Sequence, residues 1–484
     1  MLDIEPRRVF YYFEKIASIP HGSTNTKAIS DYVTEVAEEL GLIYYQDDSN
    51  NVIVYKAGQG GGEDAASVII QGHLDMVCEK EEGCDIDFEK DGLRLVLNGN
   101  LLSAEGTTLG GDDGIAVAYM LAILEDGEMA HPPLECVFTV DEEIGMLGAT
   151  ALDTSRLMGK TLLNIDSEEE GNLLVSCAGG ATATLNLPIL RRGAQGNRYR
   201  LTLFGFKGGH SGVEIDKGRA NANIVLGSVL KDLLYEDDSL RIVGVKGGLK
   251  DNAIPVKSEA VIVTKRGEII SDKLPELLND IKKMYEENDP EITYSFEETA
   301  EDEYAGLYPL DEMQSMNLIM LLGSAPNGVK KMSLDIEGLV QTSLNLGIMY
   351  TTETEVVMSF SVRSSVGAEK AELLEELDAL IRSIGGRMSV EGSYPAWEYR
   401  KDSPIRDIMT ETFSEMYGRE MEVQAIHAGL ECGIFSGAIP GLDAVSFGPD
   451  IYDIHTPSER MDVDSVLRVW EYVKRVLEKC TKIC

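Results

Sequence analysis

The 484-residue chain lacks several features that would mark a secreted or membrane-embedded protein. It has only seven cysteines and no Cys-x-x-Cys pair, which argues against a disulfide framework and fits a reducing compartment. No stretch approaches the roughly 18 apolar residues of a membrane span, and the N-terminus shows no basic segment followed by an apolar one. These absences predict a cytoplasmic protein that does not enter a membrane.

Positive charge is also scarce. The chain carries 43 lysines and arginines against 83 aspartates and glutamates, which gives a formal net charge of −40. Such a surface repels a phosphate backbone unless basic residues cluster strongly, and the sequence contains no such cluster. We therefore expect no nucleic acid among the partners of this protein.

Several common catalytic motifs are missing as well. The sequence contains no GxxxxGK[ST] loop, no GxGxxG after a predicted strand, no GxSxG elbow and no HExxH helix. These absences argue against nucleotide binding and serine hydrolysis. Tandem repeats and low-complexity segments are not visible either.

The length and the hydrophobic pattern predict a chain of about two to three domains. Strands alternate with helices up to about residue 180 and again near the C-terminus, which is typical of α/β domains. Between these parts, segments such as Ala181–Leu190 alternate with period two, as antiparallel strands do. We predict a discontinuous α/β catalytic domain (1–182 and 394–484) with a mixed, largely parallel sheet flanked by helices, interrupted by an inserted α+β domain (183–393).

Acidic residues and histidines follow several of the predicted strands. In QGHLDMV, residues two apart in an extended segment point the same way, so Asp75 can hold one ring nitrogen of His73 while the other binds a metal. In VFTVDEEIG, the neighbouring carboxylates of Glu142 and Glu143 repel each other unless a cation or a shared proton offsets them. That motif suits one metal ligand and one base.

Three further motifs extend this set. GTTLGGDDGIAVA places Asp112 and Asp113 directly before a helix, where an acidic N-terminal cap is an alternative interpretation. Asp166 ends a short strand in LLNIDSEEEG, and His455 precedes a Thr-Pro turn in DIHTPSERM. Each motif alone also fits an ordinary loop histidine or turn acid. Together, two histidines and three carboxylates predict two divalent sites that share one bridging carboxylate.

The order of these motifs, with FKGGHSGVEI, NAIP, HAGLECG and the final HTPSE, resembles the two-zinc metallopeptidases of the aminoacylase and carboxypeptidase type. More narrowly, the chain resembles their cytosolic Xaa-His dipeptidase branch, from the first helix to the last. The resemblance implies a metal-dependent dipeptidase with an inserted lid and dimerisation domain. A tripeptide aminopeptidase or an N-acyl-amino-acid deacylase on the same scaffold stays an alternative, as does a non-catalytic acidic binding protein.

The resemblance also implies a set of metal ligands. His73 and Asp166 would bind one zinc ion, Glu143 and His455 the other, and Asp112 would bridge them. Cobalt or manganese are alternative metals. The family pattern further implies a cis peptide bond after Asp112, where this chain continues with an aspartate in place of the asparagine that relatives often carry.

The remaining roles come from the resemblance alone. Glu142 would be the general base and Asp75 an orienting residue, and His210 would donate a hydrogen bond to the tetrahedral oxyanion after domain closure. The partners implied are a dipeptide substrate and a second copy of the chain, which would form a homodimer through the inserted domain. The residues expected to contact the substrate are Arg363, Asn252, His427 and Glu431.

Overall fold

The computed structural model describes residues 4–300 and 302–482. These residues form two compact units. The first unit contains the chain up to Cys177, the segment Trp397–Ala425 and the chain from Leu430 onward. The second unit contains Ala178–Ala396 and the short segment Ile426–Gly429.

Helices occur in both units. Within the described residues they are α1 (Arg7–Ala17), α2 (Lys27–Glu39), α3 (Gly111–Glu125), α4 (Leu147–Ala151), α5 (Ala222–Glu236), α6 (Gly267–Met284), α7 (Glu312–Leu322), α8 (Gly367–Ser383), α9 (Pro404–Tyr417), α10 (Glu431–Ala438) and α11 (Val463–Cys480). No helix in this part of the chain combines the length and apolar character needed to cross a membrane.

Strands alternate with these helices. In the first half of the described chain they are β1 (Ile43–Gln46), β2 (Val52–Lys56), β3 (Val68–His73), β4 (Leu95–Asn98), β5 (Leu101–Ala104), β6 (Leu134–Thr139), β7 (Thr161–Asn164), β8 (Asn172–Cys177), β9 (Gly179–Pro188), β10 (Asn197–Phe204), β11 (Gly209–His210) and β12 (Arg241–Gly247). They continue with β13 (Ala253–Ile254), β14 (Ser258–Thr264), β15 (Thr293–Glu298), β16 (Gly328–Met332), β17 (Val340–Thr351), β18 (Glu355–Ser364), β19 (Arg387–Tyr394), β20 (Glu422–Ile426), β21 (Asp443–Ser446), β22 (Ile451–Tyr452) and β23 (Arg460–Asp462).

The first unit is built on an eight-stranded mixed sheet in the order β1-β2-β6-β3-β7-β21-β8-β20. The neighbours β6/β3, β3/β7 and β7/β21 are parallel, whereas β1/β2, β2/β6 and β21/β8 are antiparallel. The predicted mixed sheet is therefore confirmed, with its parallel part in the four central strands. A separate four-stranded sheet has the order β22-β23-β5-β4.

Helices flank the mixed sheet, as the sequence predicts. α2 packs on β1 and β2, α3 on β3, and both α9 and α10 on β21. The sequence of α3 is apolar on every side, and its residues from Ile115 to Leu124 are all buried. This helix therefore runs through the core of the unit, with α1 packed beside it.

The second unit contains a nine-stranded sheet whose main path is β15-β10-β14-β12-β17-β18-β9-β19. β10, α5, β12, β14, α6 and β15 form a βαββαβ motif with strand order 4-1-3-2, the ferredoxin-like arrangement. β9, α7, β17, β18, α8 and β19 repeat the same arrangement. The second strands of the two halves, β12 and β17, pair antiparallel with each other.

This internal repeat was not visible in the sequence. The second half is interrupted after its first strand by the whole of the first half, so the repeat is not a tandem one. α5 and α7, which are equivalent helices in the two halves, pack against each other. One apolar core, which includes Leu226, Leu230, Leu318 and Leu322, joins the halves. The predicted α+β character of this region is confirmed.

Candidate active site

The parallel strands bring the predicted ligands of the first unit to one edge of the sheet. His73 is the last residue of β3, Glu142 and Glu143 follow β6, and Asp166 follows β7. Because β3 lies between β6 and β7 and all three are parallel, their carboxyl ends meet. Asp112 lies in the first turn of α3, which packs on β3.

Asp112 lies between the two histidines. Its Oδ1 is 3.2 Å from Nε2 of His73, and its Oδ2 is 3.1 Å from Nε2 of His455. Nε2 of His455 is also 3.0 Å from Oε1 of Glu143, and Nε2 of His73 is 3.6 Å from Oδ1 of Asp166. Each histidine therefore faces one oxygen of Asp112 and one carboxylate of its own.

The electrostatics of this cluster favour positive charge. Burial alone would lower the pKa of His73, but hydrogen bonds to Asp112 and Asp166 raise it well above its ordinary value. Hydrogen bonds to Asp112 and Glu143 raise the pKa of His455 to about 10. A divalent cation at the same nitrogen and oxygen atoms would satisfy the carboxylates as these protons do.

The donor set fits a pair of divalent ions. Ligand atoms of Asp112, Glu143 and His455 lie within 4.8 Å of one another, and the same holds for His73, Asp113 and Asp166. Imidazole nitrogens and carboxylate oxygens are the ligands expected for zinc, and they also accept cobalt or manganese. The two oxygens of Asp112 contact different histidines, so this carboxylate suits a shared position.

Asp75 contacts His73 through its main chain. Nδ1 of His73 is 2.9 Å from the carbonyl oxygen of Asp75 and 3.5 Å from its carboxylate. The carboxylate instead accepts hydrogen bonds from the main-chain N–H groups of Glu142 (3.0 Å) and Glu143 (3.4 Å) and from the Ser23 hydroxyl (2.8 Å). Asp75 is therefore hydrogen-bonded to the imidazole of His73 and to the segment that carries the two glutamates.

Burial raises the pKa of Glu142 well above its ordinary value, and the negative charges of Asp166, Glu431 and Glu143 act in the same direction. The positive charge of His73 opposes them. A carboxylate in this environment holds a proton more tightly than one in water, which suits a group that takes and returns a proton near neutral pH.

Asp113 shares the turn with Asp112, and the peptide bond between them is cis, as the resemblance implies. The Asp113 side chain is buried, and its Oδ2 accepts a hydrogen bond from the main-chain N–H of His73 (3.1 Å). Burial and the charge of Asp166 raise its pKa well above the ordinary value. A neutral Asp113 would add no negative charge beside the ligands.

Glu431 lies in the first turn of α10 and is completely buried. Its Oε2 accepts hydrogen bonds from the side chains of Gln71 and Thr139, on β3 and β6. Burial raises its pKa to about 8. These contacts place Glu431 against β3, which ends at His73, and β6, which precedes Glu142.

The sequence predicts no role for two further glutamates of this region. Burial and the charges of Asp112 and Asp166 raise the pKa of Glu168, in the NIDSEEEG motif, to about 8. Glu459 closes the HTPSE motif and is buried against the turn that precedes Asp112. Glu168 lies in the NIDSEEEG motif and Glu459 in the HTPSE motif, but their contacts depend on the tertiary structure.

The four remaining predicted residues lie together in the second unit. His210 on β11 pairs with Ala253, next to Asn252, whose carbonyl accepts a hydrogen bond from Ser211 (2.8 Å). Arg363 on β18 donates from Nη1 to the Tyr394 hydroxyl (3.2 Å).

His427 forms a hydrogen bond with the Ser343 hydroxyl through Nε2 (2.7 Å). Burial, followed by the positive charge of Arg363, lowers the pKa of His427 to about 4. The same two causes lower the pKa of His210. Both imidazoles are therefore neutral at pH 7 beside a permanent positive charge.

The comparison with known families agrees with this geometry. The model of peptidase family M20/M25/M40 matches residues 69–479. The chain belongs to this peptidase family.

Among individual relatives, the cytosol non-specific dipeptidase of Escherichia coli (strain K12) is 35% identical over 482 residues, which is 98% of each chain. The crystal structure of aminoacylhistidine dipeptidase from Vibrio alginolyticus matches with a TM-score of 0.92 at 35% identity, covering 99% of this chain and 97% of that one. An aminopeptidase from Bacillus cereus covers the same share of this chain at 16% identity and a TM-score of 0.57, which shows the shared fold alone.

Proposed function

We propose that the protein is a metal-dependent dipeptidase, acting on Xaa-His dipeptides or on a broader set. The observation that carries this proposal is Asp112, whose two carboxylate oxygens face His73 and His455. Full-length similarity to two proteins named as dipeptidases supports the substrate class.

The metal ligands we propose are those in the cluster of the first unit. His73 and Asp166 would hold one zinc ion, Glu143 and His455 the other, and Asp112 both; cobalt or manganese would fit the same donors. A bound pair of divalent ions supplies Lewis acidity, which lowers the pKa of water and stabilises the negative charge that develops on the carbonyl oxygen.

Glu142 is the residue we assign to proton transfer. Its carboxylate takes a proton from the attacking water and later returns it to the nitrogen of the leaving amine. The raised pKa of Glu142 lets the side chain hold that proton between the two steps. The hydrogen bond from the Glu142 main chain to Asp75 fixes the position of the base.

For the second unit we propose the lid and dimerisation role that the resemblance implies. His210 would donate a hydrogen bond to the oxyanion, and Arg363 with Asn252 would bind the carboxylate of the substrate. An arginine suits this task because its planar guanidinium binds a carboxylate in a bidentate manner. The position of His427 beside Arg363 supports a place in the same pocket. We propose Glu431 as a further substrate contact.

A cytoplasmic location is also proposed, by similarity to a protein named as cytosolic. A homodimer through the second unit is a further proposal. β12 and β17 already pair with each other, so a second copy would have to bind at another surface of the unit, such as the edge strands β15 and β19. Light scattering on an active sample tests this, and a monomeric mass would overturn it.

A substrate panel tests the proposed reaction. Zinc-loaded and chelator-stripped protein is incubated with β-alanyl-histidine, Gly-His, Leu-Gly, a tripeptide and an N-acetyl amino acid, and released amino acids are measured. We expect zinc-dependent cleavage of the dipeptides only. Cleavage of only the tripeptide or the acetylated substrate would favour the related peptidase or deacylase activities. No cleavage of any substrate by protein with two bound ions would favour a binding protein.

A further inference from the structure

Glu459 is held in an unusual way for a surface loop acid. Glu459 is only 2% exposed. Its Oε2 accepts hydrogen bonds from the main-chain N–H groups of Leu109 (2.8 Å) and Gly110 (3.2 Å), and its Oε1 accepts one from Gly111 (2.8 Å). Both carboxylate oxygens are therefore bound to one short segment.

This segment and Glu459 belong to the two loops that carry proposed metal ligands. Leu109–Gly111 leads directly into Asp112, and Glu459 follows His455 by four residues. One buried carboxylate thus ties the loop of the proposed bridging ligand to the loop of the last histidine. The two loops are more than 300 residues apart in the sequence.

The two glycines of the segment make this contact feasible. Gly110 has a φ of 66°, a left-handed conformation that non-glycine residues rarely adopt. A Cβ at Gly111 would lie 3.2 Å from Oε1 of Glu459, a tight contact that would require the carboxylate to shift by a few tenths of an ångström. The Gly-Gly pair therefore lets the carboxylate approach the main chain.

The contact also satisfies one donor that the start of α3 leaves open, the N–H of Gly111, together with two N–H groups that precede the helix. The first N–H groups of a helix have no partner within the helix, and its N-terminus favours negative charge. A buried carboxylate is costly unless it is hydrogen-bonded, and here three N–H groups meet that need. The turn that leads into α3 is therefore fixed by a side chain from outside the helix.

We propose that Glu459 is a positioning residue that holds Asp112 between His73 and His455 and so sets the affinity of the chain for its metal ions. This inference rests on the proposed function, because it takes Asp112 as the shared ligand. Groups of this kind, which orient a ligand without touching the metal, commonly change metal affinity 10- to 100-fold when removed.

A purely structural cap is the alternative, and the chain offers a matched control. Glu135 on β6 is 4% exposed and accepts hydrogen bonds from the main-chain N–H groups of Met158 (3.0 Å) and Gly159 (3.2 Å). The Ser67 hydroxyl donates a third (2.9 Å). Glu135 thus resembles Glu459 in burial and partners but holds a segment that bears no proposed ligand.

The test compares Glu459→Gln with Glu135→Gln after removal of metal by a chelator. Titration with Co²⁺, followed by visible absorption, measures the affinity for each ion, and the thermal midpoint of the metal-free chain measures stability. We expect both variants to be less stable than wild type. Only Glu459→Gln should weaken binding of at least one ion, by about 10- to 100-fold.

Gly111→Ala provides a second variant. If Glu459→Gln does not fold, the Co²⁺ affinity of Gly111→Ala is compared with that of Glu135→Gln instead. It keeps the carboxylate but adds a Cβ against Oε1, so we expect a smaller loss of affinity. Unchanged binding of both ions in these variants would overturn the inference, as would an equal loss in Glu135→Gln. A wild-type chain that binds no metal would instead overturn the proposed function itself.

Discussion

Carboxylates surround the site histidines of the first unit, whereas the site histidines of the second unit lie beside an arginine. Hydrogen bonds to acids raise the pKa of His455 to about 10, and those of His73 act in the same direction against burial. In the second unit, burial and the charge of Arg363 lower the pKa of His427 to about 4 and also lower that of His210. The histidines of the first unit therefore favour an added proton or a cation, whereas the histidines of the second unit favour the neutral form.

This contrast separates two tasks of the proposed reaction. The first unit attracts cations and contains Glu142, the base that we propose, so it suits the activation of water. The second unit presents neutral imidazoles and a permanent positive charge, so it suits a carboxylate or a developing oxyanion. If the division is correct, variants in the first unit should change metal content or proton transfer. Variants in the second unit should change substrate binding or the stabilisation of the oxyanion.

The largest effect is expected from Glu142→Gln. The amide cannot accept the proton of the attacking water, so kcat should fall about 10²- to 10⁴-fold, the usual contribution of a general base. Metal content, measured by elemental analysis, should stay at the wild-type level because Glu142 is not among the proposed ligands.

Asp141→Asn is the control for this experiment. It removes one carboxylate from the same motif, and asparagine tolerates the positive φ of 55° at this position. We expect Asp141→Asn to keep a kcat near wild type. A Glu142→Gln enzyme that also retains the wild-type kcat would contradict the assignment of the base.

A smaller effect is expected from Arg363→Lys in the second unit. Lysine keeps the charge but loses the planar pair of donors, so kcat/KM for dipeptides should fall about 10- to 100-fold, mainly through KM. Metal content should not change. Arg387→Lys, which alters an exposed ion pair with Glu355 on the same sheet, is the control and should behave as wild type. A fall in kcat alone, with KM unchanged, would argue against a substrate contact.

The smallest effect concerns the pH dependence of stability. The folded chain holds His427 neutral down to a pKa of about 4, whereas an unfolded histidine titrates near 6.5. Between these values the unfolded chain binds the extra proton, so stability present above pH 6.5 is lost as the pH falls, by about 2 kcal/mol between pH 7 and pH 5. The thermal midpoint should therefore drop less between pH 7 and pH 5 in His427→Gln than in wild type. Equal drops would contradict the neutral state of His427.

Much of the first unit could be predicted from the sequence because several of its proposed ligands follow apolar strands. Once β3, β6 and β7 are placed as parallel neighbours, His73, Glu143 and Asp166 must meet at one edge. The apolar runs that define these strands are visible in the sequence. The relative positions of these three residues therefore follow from a pattern visible in short motifs, an apolar strand followed directly by a histidine or an acid.

The second unit could be predicted far less directly. Only the tertiary structure brings together the elements that carry His210, Arg363 and His427. The sequence therefore predicts these residues only through the family resemblance. The sequence pattern does not show the duplicated βαββαβ arrangement, because one half is inserted into the other.

In the first unit, the sequence predicts no role for Glu459. Its partners are main-chain N–H groups, which are present at nearly every residue and so give no signal in the sequence.

The most direct test of the account is a zinc titration of the chelator-stripped chain, with hydrolysis of β-alanyl-histidine and Gly-His followed at each step. We predict no activity without metal and a maximum when two zinc ions are bound per chain. Full activity of the metal-free chain, or a maximum at a single ion with no further binding, would contradict two metal sites that share Asp112.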